Sequence, residues 1–232
     1  MPDNGAEPAA APAWLGEAER RRWTGLTDAS RRAFAASRRL LRDALGEVTG
    51  MSADGWEVSA EAGSAPLARR LGGESVRAPR VSIAHRLGWV AVAVGSADGG
   101  AIGVDIECER PAPGGSAGRA ALMMPAGELE RWLALDAGER EPALLRAWVA
   151  REAWFKAAGA GAPWDFRRLV VEPGDAPDAN VRTWSAGPVH VALSAGDPAA
   201  LAAASCLGWP QGTVARSSTW RVRRLATGMG LA

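Results

Sequence analysis

The chain has 232 residues, 47% of them hydrophobic and 23% charged, with a formal net charge of +1. That length suits one large domain or two small ones, and the balanced charge leaves no global field to draw nucleic acid or a membrane surface. Any anion site must therefore be a local cluster. Two cysteines, Cys108 and Cys206, offer neither a disulfide framework nor metal-ligand spacing, so a reducing, cytoplasmic setting is expected. Of 27 basic residues a single one is lysine, Lys156. A lysine gives a compact point charge and can release a proton, whereas a guanidinium does neither, which directs attention to the segment around it.

Residues 1–13 lack a basic stretch followed by an apolar run and read as a disordered leader, not a signal peptide. Residues 14–50 predict helices. WLGEAERRRW carries glutamates early and arginines late, as the helix macrodipole prefers. Thr27 or Asp28 then offers an N-cap for SRRAFAASRRLLRDAL, whose Phe34, Leu40, Leu41 and Leu45 make a buried stripe. Strand patterns follow at 56–60, 80–84, 89–95 and 101–107, separated by turn residues such as SADGG.

PAPGGSAG at 111–118 reads as a linker, and after it the order repeats. Helical signals cover roughly 119–135 and 140–158, and strands are expected at 166–172, 188–194 and 201–209. The expected fold is therefore α+β, with an N-terminal half over 14–110 and a C-terminal half over 111–209. Residues 210–232, with Arg216, Arg221, Arg223 and Arg224, read as a basic tail or a last strand, the loose tail being preferred.

Three segments carry chemistry. In GVDIE, Asp105 and Glu107 are two apart on a strand, so both carboxylates point to one face. Hard oxygen donors without nearby histidine or thiolate suit magnesium or manganese; two solvated acids on an exposed edge are the alternative. In WVAREAWFKAAG, Trp148, Glu152 and Lys156 share one helix face, although a Glu–Lys pair at this spacing also serves simply to stabilise a helix. In VSIAHRLGWVAVAV, His85 ends one short strand just before another, and a turn histidine bonded to backbone is the competing reading. His190, within PVHVALS, reads as a structural strand residue. The arginine-rich helix with Arg31, Arg32 and Arg38 is either a phosphate-binding face or a solvated one.

AHRLGWVAVAV, IGVDIE and WVAREAWFK occur in this order, with 45 positions from Glu107 to Glu152. The ordered set resembles the Sfp-type 4'-phosphopantetheinyl transferase family, and the resemblance runs from Trp14 to about Trp209. It implies a pseudo-dimer of two similar α+β subdomains with coenzyme A and a metal between them, working as a monomer on an acyl- or peptidyl-carrier protein. It implies Asp105, Glu107 and Glu152 as ligands of Mg²⁺ (or Mn²⁺), Glu152 as base, and Lys156 and His85 as catalytic groups on the coenzyme A phosphates. Arg38 holds the place of a family arginine.

Departures are visible. Ala84 stands where the family has serine, and Arg151 where it has lysine. Arg151 lies off the Trp148–Glu152–Lys156 face, so Arg151→Lys is expected to be tolerated. The family's basic loop residue is absent in Gly63-Ser64-Ala65-Pro66, leaving Arg69 or Arg70 to replace it, and Met123 and Met124 precede Glu128 where phenylalanines are usual. These departures leave room for an alternative: a coenzyme A or carrier-protein binding protein of weakened turnover. A different metal-dependent phosphotransferase or hydrolase would suit the three carboxylates equally, but it would need a nucleotide signature such as a phosphate loop, and no GxxxxGK[ST] is present.

Overall fold

The computed structural model describes residues 10–59, 65–72, 78–110, 115–159, 165–174, 178–206, 208–209 and 213–225. Helices open each half. The first begins with α1 (Glu17–Thr24) and α2 (Asp28–Thr49). Gly16 N–H donates to Glu19 Oε2 at 2.9 Å to start α1. The Thr27 side chain accepts from Ser30 N–H to start α2, which stops at Gly50 with φ 69°, a left-handed position that glycine fills without steric cost. Then come β1 (Trp56–Val58), β2 (Ala68–Arg70), β3 (Arg80–Arg86), β4 (Trp89–Gly95) and β5 (Ile102–Cys108).

The second half runs through α3 (Ala117–Met123), α4 (Ala126–Leu133) and α5 (Ala137–Ala158) to β6 (Leu169–Pro173), β7 (Val181–Ala186), β8 (Val189–Ala195), α6 (Pro198–Ala203) and β9 (Arg216–Arg224). The architecture is α+β. Strands β1–β2 and β3–β4 form two-stranded sheets, and the remaining five lie in the order β5-β8-β7-β9-β6. The last strand of the first half is thus paired into the sheet of the second, with Asp105 opposite Ala192 and Glu107 opposite His190.

Alternation along these strands divides the core in two. Val104, Ile106, Val189 and Val191 pack with Ala84 on one face of the sheet. Val171, Val181, Ala192 and Val222 pack on the other, against Val149, Ala150, Ala153 and Phe155 of α5. Leu41 and Leu45 of α2 pack with Trp56, Val58, Ala68 and Val81. Where β3 lies beside β5, the Ser82 hydroxyl accepts from Val104 N–H at 3.0 Å. No helix among the described residues is long and apolar enough to cross a membrane.

Several expectations are corrected. Residues 216–224 are not a loose tail; they form β9, bonded on both sides to β6 and β7. The strand expected at 201–209 is absent: α6 occupies its start, and the rest, where described, is irregular. Two strands escaped the sequence reading, β7 and the short β2. The helix expected over 119–135 is broken into two at Met124-Pro125. Residues 1–9 of the leader lie outside the described residues, but Ala11 packs against the cluster of Leu15, Trp23 and Phe34, so the end of that segment is ordered. Gly63 and Ser64 also lie outside the described residues.

Arg151 is a further correction. Its side chain is fully buried, and its guanidinium donates to Glu128 Oε2 at 2.6 Å and to the carbonyls of Leu169, Ala147 and Phe166 at 3.0, 3.2 and 3.4 Å. Glu128 also accepts from Val171 N–H at 3.2 Å, so the pair staples α4 and α5 to β6. A lysine cannot reproduce that fork. Arg151→Lys should lower unfolding free energy by about 2 kcal/mol through acceptors left without donors in the interior, read as an earlier midpoint in a urea titration.

Candidate active site

The site is set by how closely α5 approaches β5. A Cβ on Gly103 would lie 2.1 Å from Ala153 O and 2.6 Å from Ala157 N. Only glycine permits this contact. The approach brings Lys156 onto β5, where Nζ donates to Asp105 Oδ1 at 2.6 Å and to Val104 O at 3.0 Å. Lys156 therefore pairs across to the strand and not along its own helix to Glu152. Asp105 is 7% exposed. Burial pushes its carboxyl above the usual range, with Lys156 opposing that shift and Glu107 adding to it.

Glu107 lies one alternation further along β5 and pairs with Arg86 Nε of β3 at 2.9 Å. Glu152 has no hydrogen bond or ion pair among the described residues. Burial pushes its pKa up to about 7, and the charges of Asp105 and Glu107 contribute in the same direction while Lys156 opposes them. Three carboxylates thus feel one another across the cleft with too little positive charge between them.

Opposite the acids lies a group of basic residues. His85 is accessible at the end of β3, and its pKa is lowered by desolvation, then by the charges of Lys156, Arg38 and Arg22. Arg38 is 6% exposed, and burial pulls it down to about 10 despite Glu19. Its guanidinium stands over the Phe34 ring at 4.5 Å. Glu19, fully buried, holds Arg38 at 3.3 Å and Arg42 at 2.5 Å. Arg42 also donates to Trp56 O at 2.9 Å, so this pair fixes α1 to α2 and β1 and sets the position of Arg38.

Asp105, Glu107, Glu152, Lys156, His85 and Arg38 are therefore brought together. Arg31 is not available: it is buried and donates to Trp23 O, Asp28 and Thr24 O, tying α1 to α2. Arg32 is exposed on α2, Arg69 pairs with Glu57 of β1, and Arg70 is exposed on β2. No hydrogen bond or ion pair joins these three to the cleft among the described residues. Ala84, in place of a family serine, points into the apolar core, so the substitution leaves the cleft unchanged. Arg22, Arg86, Glu19 and Gly103 were not identified from sequence. Arg22 sits in a run of three arginines whose outward and inward members cannot be separated without the helix docking; Gly103 was legible only as part of GVDIE.

The charge state of Glu152 gives a sign to the pH dependence. Its folded pKa lies above the usual value of 4.5, so between about pH 4.5 and 7 the folded state binds more protons than the unfolded one. Metal-free protein should lose stability as pH rises through that window, and Glu152→Gln should flatten this part of the profile. Thermal melts across the window in the presence of a chelator check both.

Residues 101–204 match the family model of the 4'-phosphopantetheinyl transferase superfamily. The stretch spans β5 to the end of α6 and contains Asp105, Glu107, Glu152 and Lys156; His85, Arg38 and β9 lie outside it. No curated protein was found to match the chain.

Proposed function

With the superfamily's pattern across residues 101–204 as the premise, we propose that the protein moves the 4'-phosphopantetheine group of coenzyme A onto a serine of an acyl- or peptidyl-carrier protein, releasing 3',5'-ADP. The observation that carries this reading is the divided cleft: Arg22, Arg38 and His85 on one side, Asp105, Glu107 and Glu152 on the other, with Lys156, bonded to Asp105, between them. Phosphoryl transfer depends on positioning and on neutralising charge. A polyanion such as coenzyme A suits the cationic side. The two helices and β3 that supply it lie before the matched stretch, which supports the Sfp-type, two-half form acting as a monomer.

Among the described residues, no three His, Cys, Asp or Glu side chains already form a group that could hold a metal ion; Lys156 is engaged with Asp105 and Arg86 with Glu107. The donor set nevertheless fits a hard divalent cation. Its ligands are all carboxylate oxygens, and Glu152 is destabilised as an anion by the very acids that would share the ion. Asp105, Glu107 and Glu152 would hold it once the Arg86–Glu107 pair opens. When bound, Mg²⁺ or Mn²⁺ supplies Lewis-acid polarisation of the pyrophosphate and offsets charge on the leaving group.

The protein's own groups do the rest. Arg38 and Arg22 hold phosphate oxygens. His85, neutral through its lowered pKa, donates a ring N–H to phosphate. Glu152 takes the proton of the carrier serine, directly or through a water. The bond that forms joins the serine oxygen to the phosphorus carrying the pantetheine; the bond that breaks joins that phosphorus to the bridging oxygen. Lys156 places its charge, or its proton, at the departing phosphate.

Intact-mass spectrometry of apo-carrier proteins incubated with this protein, coenzyme A and Mg²⁺ tests the proposal. The expected result is a gain of one phosphopantetheine, stopped by EDTA and by Asp105→Ala or Glu107→Ala. Lys156→Arg should fall by about 100-fold or more, because the planar guanidinium does not fit between Asp105 and Val104 O. Tight coenzyme A binding with no mass gain on any carrier would favour the binding-protein reading instead. Near-normal transfer by either acid variant would overturn the metal assignment.

A further inference from the structure

We infer that His190 is a positioning residue for the carboxylates of β5, acting through Glu109; the inference rests on the divalent-cation reading above. The acids of β5 continue past Glu107. Glu109 is the next residue on the same face, and its backbone N–H donates to Pro188 O at 2.7 Å, pinning the strand end to the β7–β8 turn. In register, Glu107 lies opposite His190, and His190 lies opposite Ser185. Three strands therefore bring Glu107, His190 and Ser185 into one row on the face that α5 covers.

His190 is 1% exposed. Its Nε2 lies 3.0 Å from Glu109 Oε1 and its Nδ1 2.8 Å from Ser185 Oγ. An ionised carboxylate only accepts, so Nε2–H donates to Glu109 and Nδ1 accepts the serine hydroxyl. Both ring nitrogens are used, which fixes one tautomer and one ring orientation. Burial and the charge of Arg146 keep the ring neutral against the pull of Glu109, in agreement with that assignment. The sequence reading gave His190 a purely structural place. Its register opposite Glu107, which depends on the β5–β8 pairing, gives it a line to the site.

Partners behind the ligands of a metal commonly change its affinity by about 10- to 100-fold when removed. The sign separates positioning from simple charge. Freeing Glu109 adds an untethered negative charge beside the site, which by electrostatics alone would tighten cation binding. Loss of the tether to the end of β5 would weaken it.

The experiment is calorimetric titration of Mn²⁺ into metal-free wild-type protein and variants, with coenzyme A binding measured separately without metal. His190→Leu and Glu109→Ala should each weaken Mn²⁺ binding by about tenfold or more and leave metal-free coenzyme A binding within about twofold. His190→Gln and Glu109→Gln, which preserve the hydrogen bond, should bind Mn²⁺ close to wild type. If His190→Leu fails to fold, Glu109→Ala set against Glu109→Gln, at a carboxylate still 31% exposed, carries the test, because both lack the charge and only the Gln variant keeps the hydrogen bond. Unchanged or tighter Mn²⁺ binding in Glu109→Ala, or a Gln variant as impaired as its apolar counterpart, overturns the inference. Wild-type protein that binds no Mn²⁺ overturns the divalent-cation reading, and the inference with it.

Discussion

The contact between α5 and β5 at Gly103 sets the terms for everything else in the cleft. With a side chain at that position the backbone of Ala153 could not come so close, and Lys156 could not reach Asp105. The approach runs a helix face bearing Glu152 and Lys156 along a strand face bearing Asp105 and Glu107. Lys156 satisfies Asp105. Glu152 gains no cation of its own, and burial first, then the charges of Asp105 and Glu107, push its pKa up to about 7. Close packing, a matter of one missing methyl group, thus creates an electrostatic demand that a ligand can meet.

Two buried ion pairs frame this contact. Glu19 holds Arg38 and Arg42 on the side of α1 and α2, and Glu128 holds Arg151 beneath α5. Buried pairs add little net stability, because desolvation offsets attraction, but removing one partner is costly. Their effect here is geometric. One places the Arg38 guanidinium near His85; the other fixes α5 over the sheet. Burial lowers the Arg38 pKa to about 10, and its Nε is turned to Glu19 at 3.3 Å.

Much of the cleft was legible because its residues lie in short segments with strict periodicity. Alternation put Asp105 and Glu107 on one face, and helical spacing put Glu152 and Lys156 on one face; the structure keeps both. Side-chain partners were less legible, because they depend on docking. Spacing placed Lys156 beside Glu152, but the packed strand β5 offered acceptors in Asp105 and Val104 O. Arg31 and Arg38 are seven apart on one helix, yet one closes the end of α1 and the other faces the cleft. Arg151 lies off the catalytic face as expected, and for that reason it lies in the core. Strand β9 was misread because its arginines alternate with few apolar residues; Val222 alone is fully buried on it, and its place between β6 and β7 comes from long-range pairing that no local pattern announces. Strand β7 follows an acidic, proline-containing loop and was passed over with it.

The central claim is that Asp105, Glu107 and Glu152 together take one divalent cation. Because Glu152 is partly protonated near neutral pH, the cation must displace its proton on binding. Calorimetric titration of Mg²⁺ or Mn²⁺ at about pH 6.5, in two buffers of different ionisation enthalpy, counts the protons released. The account predicts net proton release in the wild-type protein and its loss in Glu152→Gln. Binding without proton release, or equal release from the Glu152→Gln protein, would contradict it.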